Sequence, residues 1–189
     1  DTLTIRLKVE SARQELTGQP MSTVLPGQSK TFTRVTTPGV PDFDNTDSFN
    51  SVLSIDKDFA NGITLTAITG YSSFKYDKQI DSDFTVADLL RSTFKEKFSQ
   101  WSQELRLISS ADGPLTWVVG AYAHTNTMDM YQASSLNMAP LGGISERWFK
   151  QDNHSYSLYG QATYAFNDQW RLTAGLRQTW EDKKANQHR

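Results

Sequence analysis

Few side chains in this chain could act as general bases, nucleophiles or metal ligands, and their spacing assembles no reaction centre. There are three histidines, His124, His154 and His188, and no cysteine. Without cysteine, disulfides, thiolate nucleophiles and cysteine metal sites are excluded. A serine hydrolase needs a base beside its nucleophile, yet no serine lies in a nucleophile-elbow sequence. No glycine loop has the phosphate-binding form. Asp81 and Asp83 are paired carboxylates in a polar stretch, where solvation is the simpler account. No catalytic residue is assigned.

Two groups could be read as metal ligands. Asp42-Phe43-Asp44-Asn45-Thr46-Asp47-Ser48 opens like a calcium loop, with oxygen ligands at its first, third and fifth positions. It lacks glycine at the sixth, and Leu53 stands where a bidentate Glu belongs, so the EF-hand reading fails. His124, Met128, Met130 and Met138 suit Cu(I) by softness. They straddle a strand end and a loop, however, and methionine fills irregular gaps wherever they occur. No metal or cofactor is expected.

The elements that position these residues follow from periodicity. From Tyr156 to Phe166 the even positions carry Tyr156, Leu158, Ala162, Tyr164 and Phe166, and the odd ones carry Ser157, Gln161 and Thr163. After a turn at Asn167-Asp168-Gln169 the pattern returns, with Trp170, Leu172, Ala174, Leu176 and Trp180 opposing Arg171, Thr173, Arg177 and Glu181. Period-two alternation sorts these sets onto opposite faces of a sheet. Ten residues at ~3.3 Å each, tilted roughly 40°, project to ~25 Å, the height of the lipid-facing apolar band of a membrane barrel with aromatic girdles at its rims.

The same grammar recurs in residues 2–11, where Leu3, Ile5, Leu7 and Val9 alternate with Thr4, Arg6, Lys8 and Glu10, and again in residues 49–58, 63–72, 101–109 and 115–125. The expected fold is all-β: about seven antiparallel strands of a partial transmembrane β-barrel. Its short periplasmic turns alternate with long extracellular loops over about 12–48, 75–97 and 128–153. The second loop carries Val86, Leu89, Leu90 and Phe94 at helical spacing behind a capping-box pattern from Thr85 to Asp88, which predicts one short amphipathic helix. Mean hydropathy is −0.55. That argues against helical spans but not against strands, only alternate residues of which face lipid. A formal charge of −2 without a dense basic stretch gives no case for nucleic acid.

Particular residues extend the pattern to a family. Trp101-Ser-Gln-Glu104-Leu-Arg106-Leu107, Asp112-Gly-Pro-Leu-Thr-Trp117-Val-Val-Gly120-Ala-Tyr122, and the pair Ser155-Tyr-Ser-Leu-Tyr159-Gly-Gln161 with Trp170-Arg-Leu-Thr-Ala-Gly175-Leu-Arg177 together resemble the barrel of TonB-dependent receptors. The resemblance implies a 22-stranded barrel, a separate plug domain, coupling to the TonB complex, and energised import of a scarce nutrient such as a ferric siderophore across a Gram-negative outer membrane. Residues 1–189 are then expected to be a fragment of that barrel, without plug, TonB box or C-terminal strand. The chain opens inside a strand pattern with no initiator Met, and seven is an odd strand number. An open sheet with an apolar face and two unpaired edges is not expected to fold alone in water.

Within this frame Arg6, Lys8, Glu10, Asp56, Glu104, Arg106, Arg171, Arg177 and Glu181 are expected to face the lumen. There they would pair with one another or with the plug, or touch a translocating ligand. Phe32, Phe43, Tyr76, Phe84, Tyr131, Trp148 and Phe149 are loop aromatics that could stack on a catecholate, a haem or a sugar, or simply pack the loops together. Phe59, Trp117, Phe166 and Trp170 mark the periplasmic rim, and Tyr71, Trp101, Tyr156 and Trp180 the outer one. The expected partners are outer-membrane lipid and lipopolysaccharide, the plug, the TonB complex and a small ligand. A passive porin-like or adhesin barrel and a secreted carbohydrate-binding β-sandwich stay open as alternatives.

Overall fold

A computed structural model describes residues 1–17 and 39–189. Seven strands form one antiparallel sheet in chain order: β1 (Thr2–Thr17), β2 (Phe43–Asp58), β3 (Thr64–Asp81), β4 (Leu90–Ile108), β5 (Leu115–Leu136), β6 (Gly143–Ala165) and β7 (Arg171–His188). Among the described residues this is a single layer with no second sheet for the apolar residues to pack against, and the sandwich alternative is not the fold. The only buried hydrophobic side chain among the described residues is Val40.

Register runs unbroken from strand to strand, and paired residues share a face. The line Ile5, Ile55, Ala67, Leu105, Ala121, Leu158 and Gln178 crosses all seven strands on the outer face. One position along, Arg6, Ser54, Ile68, Glu104, Tyr122, Ser157 and Thr179 cross on the other. Exposure inverts the usual order: Leu7 is 67% and Leu176 80% exposed, whereas Thr66 is 4% and Ser157 2%. In a single layer only neighbours on the same face can shield a residue, so the polar face is the concave one. Polar exceptions on the outer face satisfy one another, as Thr69 does by donating to Gln103 at 2.6 Å and Thr125 by bonding His154 at 2.9 Å.

The short connections 59–63, 109–114 and 166–170 lie at one end. Asn61-Gly62 forms the expected tight turn, with Gly62 at φ 76°, where a Cβ would strike Ser110. The Asn167 side chain accepts the N–H of Gln169 and of Trp170.

At the other end the structure corrects the expected loops. β3 and β4 continue to Asp81 and from Leu90, and β5 and β6 to Leu136 and from Gly143, so the second and third expected loops shorten to 82–89 and 137–142. The predicted amphipathic helix is absent, because Asp83 takes the donors a helix would turn inward. Its carboxylate accepts the N–H of Thr85 at 2.9 Å, Leu89 at 3.0 Å and Leu90 at 2.6 Å. Phe84 sits at φ 57°, and Val86 is 77% exposed, so no apolar stripe is buried there. Solvation is likewise the wrong account of Asp81. At 1% exposure it receives the N–H of Gly39, Asp83 and Phe84, while its own N–H bonds Asp42.

Candidate functional site

The concave face holds two groups of chemically active side chains, one at the height of the apolar band and one beyond it. In the lower group Arg6 pairs with Asp56, which also accepts the Thr66 hydroxyl at 2.7 Å. Farther round the wall the Tyr159 hydroxyl donates to Glu104, and Arg177 lies over the rings of Tyr122 and Tyr159 at 5.9 and 5.8 Å. The cluster depends on Gly120 opposite Tyr159, since a Cβ there would collide with the ring. Four shielded polar atoms on this face have no partner among the described residues: Arg106 Nε, His124 Nδ1, Asn153 Oδ1 and Ser157 Oγ.

Lys8 and Glu10 approach at 3.5 Å near the edge β1, and Arg171 stands exposed on the edge β7. The structure therefore puts the predicted lumen charges on one face. It brings Arg6 and Asp56 together, gathers Glu104 with Arg177 around Tyr159, and leaves Lys8, Glu10 and Arg171 at the margins.

Farther along the same face, beyond the apolar band, stands an aromatic and thioether surface, of which Tyr76, Glu96, Met128, Met130 and Phe149 fall within the expected loops. Phe74 stacks on Phe98 at 5.4 Å, with Met128 next in register, and the adjacent line runs Tyr76, Glu96, Met130 and Phe149. Cations border it. Lys78 meets Asp44 at 3.0 Å, and the Tyr76 hydroxyl donates to the same carboxylate at 3.2 Å. Burial, then the Asp44 charge, pushes the Tyr76 phenol up, and the Asp44 bond raises Lys78. Carrying period two through residues 73–80 and 94–99 would have found Phe74, Phe94 and Phe98.

The structure divides the predicted loop aromatics between two faces. Tyr76 and Phe149 belong to the concave surface. Phe43, Tyr131 and Trp148 have outward parity, with Tyr131 and Trp148 at 5.3 Å and Trp148 stacked on His188 at 5.4 Å. The Tyr131 hydroxyl donates to Glu146 at 2.7 Å, which pushes its pKa up. Phe84 lies in the 82–89 turn, and Phe32 falls outside the described residues.

The candidate metal groups are committed elsewhere. Asp42 holds the Asp81 amide, Asp44 holds Lys78, and Asp47 holds Arg13 at 2.6 Å. His124, Met128 and Met130 share the concave face of β5. At ~3.3 Å per residue His124 and Met130 lie about 20 Å apart, too far to ligate one ion.

The outer rim runs across β2 to β4 and again across β6 and β7, with Ala123 and Thr125 of β5 between the two groups. Phe49 and Tyr71 rings lie 6.1 Å apart, Tyr71 and Trp101 4.6 Å, and Tyr156 stacks on Trp180 at 5.7 Å. At the opposite end Phe59, Phe166 and Trp170 are exposed beside the short turns.

Comparison with known proteins agrees with this geometry. The family model "TonB dependent receptor-like, beta-barrel" matches residues 10–189. The ferric yersiniabactin uptake receptor FyuA from Yersinia pestis superposes with a TM-score of 0.69 at 15% identity, covering 79% of this chain and 22% of that one. The ferric citrate transporter FecA, in its unliganded form, gives 0.53 at 11% identity, covering 77% and 22%. At these identities the likeness is one of fold. The chain spans 22% of the length of either structure. No curated protein matches it.

Proposed function

The chain belongs to the TonB-dependent receptor β-barrel family, and from that premise we propose that it forms seven consecutive wall strands of an outer-membrane receptor that actively imports an iron complex such as a ferric siderophore. The observation that carries the proposal is the inverted sheet: apolar side chains open on one face, polar ones shielded on the other. Such a sheet is at rest only with lipid outside and a polar interior.

Several features support the rest of the reading. β1 and β7 present long unpaired edges, which further strands of a larger barrel would cover. Arg106, His124, Asn153 and Ser157 offer unmatched polar atoms to the interior, where a plug domain would pair with them. Aromatic and thioether side chains, with Lys78 and Arg147 at the two ends of the next register line through Phe94 and Gln132, suit a planar, negatively charged chelate approaching from outside. The two solved relatives take up ferric yersiniabactin and ferric citrate. Barrels of this family sit in the Gram-negative outer membrane, and energy would reach them through TonB.

The test is uptake of radiolabelled ferric chelates by iron-starved cells whose only such receptor carries this chain. The reading predicts saturable uptake of one chelate that stops without TonB. It also predicts about tenfold weaker half-saturation after Phe74→Ala with Phe98→Ala, from the loss of two aromatic contacts worth about 0.5–1.5 kcal/mol each. Flux proportional to concentration and indifferent to TonB would instead make the barrel a passive pore.

A further inference from the structure

The upper concave surface holds one charge that an anionic chelate does not use. Glu96 is half-buried, and among the described residues its carboxylate has neither an ion pair nor a hydrogen bond. Its surroundings are apolar. Tyr76 and Met130 are its direct cross-strand partners, and Phe94 and Phe98 flank it on the same face of β4. Phe98 in turn stacks on Phe74 at 5.4 Å with 19° between the ring planes, and all of these side chains are half-buried.

The polar groups nearby are engaged elsewhere. The Tyr76 hydroxyl donates to Asp44 at 3.2 Å, and Lys78 is committed to the same carboxylate at 3.0 Å. Lys95 and Lys97, the cations next to Glu96 in the chain, have the opposite parity and lie on the outer face.

A carboxylate among apolar groups is costly unless something pairs with it. Rings and a thioether keep water from its sides, so a cation brought to it is held more strongly than one in open solvent. The rings add a second attraction, because their faces carry negative charge that favours ammonium groups. A hard metal ion is a poor match, since it needs more oxygen ligands than one carboxylate supplies. An alkylammonium group fits both features, its methylenes against the rings and its N–H donors on the carboxylate.

The anionic part of a chelate has its own place. Arg147 is exposed and has no ion pair among the described residues, two strands across from Glu96 and one register line farther out. A strand spacing of ~4.8 Å and a rise of ~3.3 Å per residue set the two Cα atoms about 12 Å apart. Opposite charges at that separation address two ends of one ligand.

We infer that the imported ligand carries an alkylammonium group, which seats on Glu96 between Tyr76, Phe98 and Met130. The inference deepens the import reading and rests on it, because that reading makes this the surface a ligand meets first.

The test uses the full-length receptor carrying this chain, purified in a nonionic detergent, with propylammonium as the probe and 1-propanol as its neutral counterpart of similar size. Saturation-transfer NMR reads the bound fraction of each. The wild type and Asp129→Asn, which removes an outward carboxylate of the same upper wall, are expected to bind propylammonium and not propanol. Glu96→Gln should lose at least fivefold in propylammonium signal, and Glu96→Asp should keep most of it. Heat-dependent gel migration verifies that each variant is folded, and Glu96→Ala, expected to match the glutamine variant, takes its place if that one does not fold. Equal propylammonium signal in the wild type and the glutamine variant, equal binding of propanol, or no propylammonium signal at all would each overturn the site. Neither probe contains iron, so the import reading fails separately. A receptor that binds propylammonium through Glu96 yet takes up no ferric chelate keeps the cation site and loses iron import.

Discussion

Six consecutive residues of β6 set the two faces of the wall side by side: Asn153, Ser155 and Ser157 are shielded, while His154, Tyr156 and Leu158 stand open. In a protein surrounded by water this order would be reversed, because apolar area removed from water is the main source of stability. The difference teaches that the outer face does not rely on protein neighbours for burial. On the proposed reading its solvent is lipid, and the strands supply backbone hydrogen bonds to each other because lipid supplies none. The inner face relies on networks such as Glu104, Tyr159 and Arg177, which have to satisfy their polar groups within the wall.

The comparison breaks most sharply at the middle of the outer face. On β7 Leu176 lies between the rim residues Trp170, in the preceding turn, and Trp180, so Leu176→Arg should cost about 2–4 kcal/mol of unfolding free energy in lipid vesicles. The neighbouring inner substitution Thr173→Arg should cost far less, and urea titration in vesicles measures both. A similar cost on both faces would erase the distinction.

The next largest effect tests whether order at the outward end also depends on shielded polar groups. Asp81→Ala strands the N–H groups of Asp83 and Phe84 and leaves that of Gly39 only its bond to the Thr85 carbonyl, at about 1–3 kcal/mol for an unsatisfied buried group. Hydrogen exchange at those amides should accelerate while that of β6 stays unchanged.

Within the inner network, Tyr159→Phe removes the donor to Glu104 and should cost about 0.5–1.5 kcal/mol in the same vesicle titration. Gly120→Ala displaces the same ring sterically, so the two substitutions together should cost less than their sum.

Smallest is the pH response of the 82–89 turn. The Thr85 hydroxyl, and then the N–H groups of Leu90, Thr85 and Leu89, hold the Asp83 carboxyl below its ordinary range of about 3.9. Its contribution is therefore complete at pH values above that range and is lost as pH falls through the lower, folded value. Amide protection at Leu89 and Leu90 should stay constant from pH 7 to about 5, above the ordinary carboxylate range, and decline only in stronger acid.

Alternation made the membrane band legible in the sequence, since Leu3 through Val9 and Leu172 through Trp180 each expose their face assignment residue by residue. Tight turns were legible for an equally local reason, Asn61-Gly62 and Asn167 carrying their own geometry. The upper wall was not. Phe74 and Tyr76 still alternate with Lys75 and Asp77, but Lys78 and Gln79 end the hydropathy contrast, so period two fades beyond the bilayer and the end of the strand reads as loop. The 82–89 turn misled through the reverse effect, its apolar residues falling at helical spacing while Asp83 and Asp81 claimed the backbone donors. The setting of Glu96 between Tyr76 and Met130 depends on register across three strands, which no single stretch of sequence reveals.

The central claim is that odd positions of β1, and even positions of β6 and β7 between the outer rim and the short 166–170 turn, touch lipid. The chain has no cysteine, so spin labels can be placed one at a time from 171 to 180 in the full-length receptor reconstituted into bilayers. Collision with oxygen, which concentrates in lipid, should peak at 172, 174, 176, 178 and 180, and collision with a water-soluble nickel chelate should not. Flat profiles, or oxygen peaks at 171, 173, 175, 177 and 179, would contradict the account.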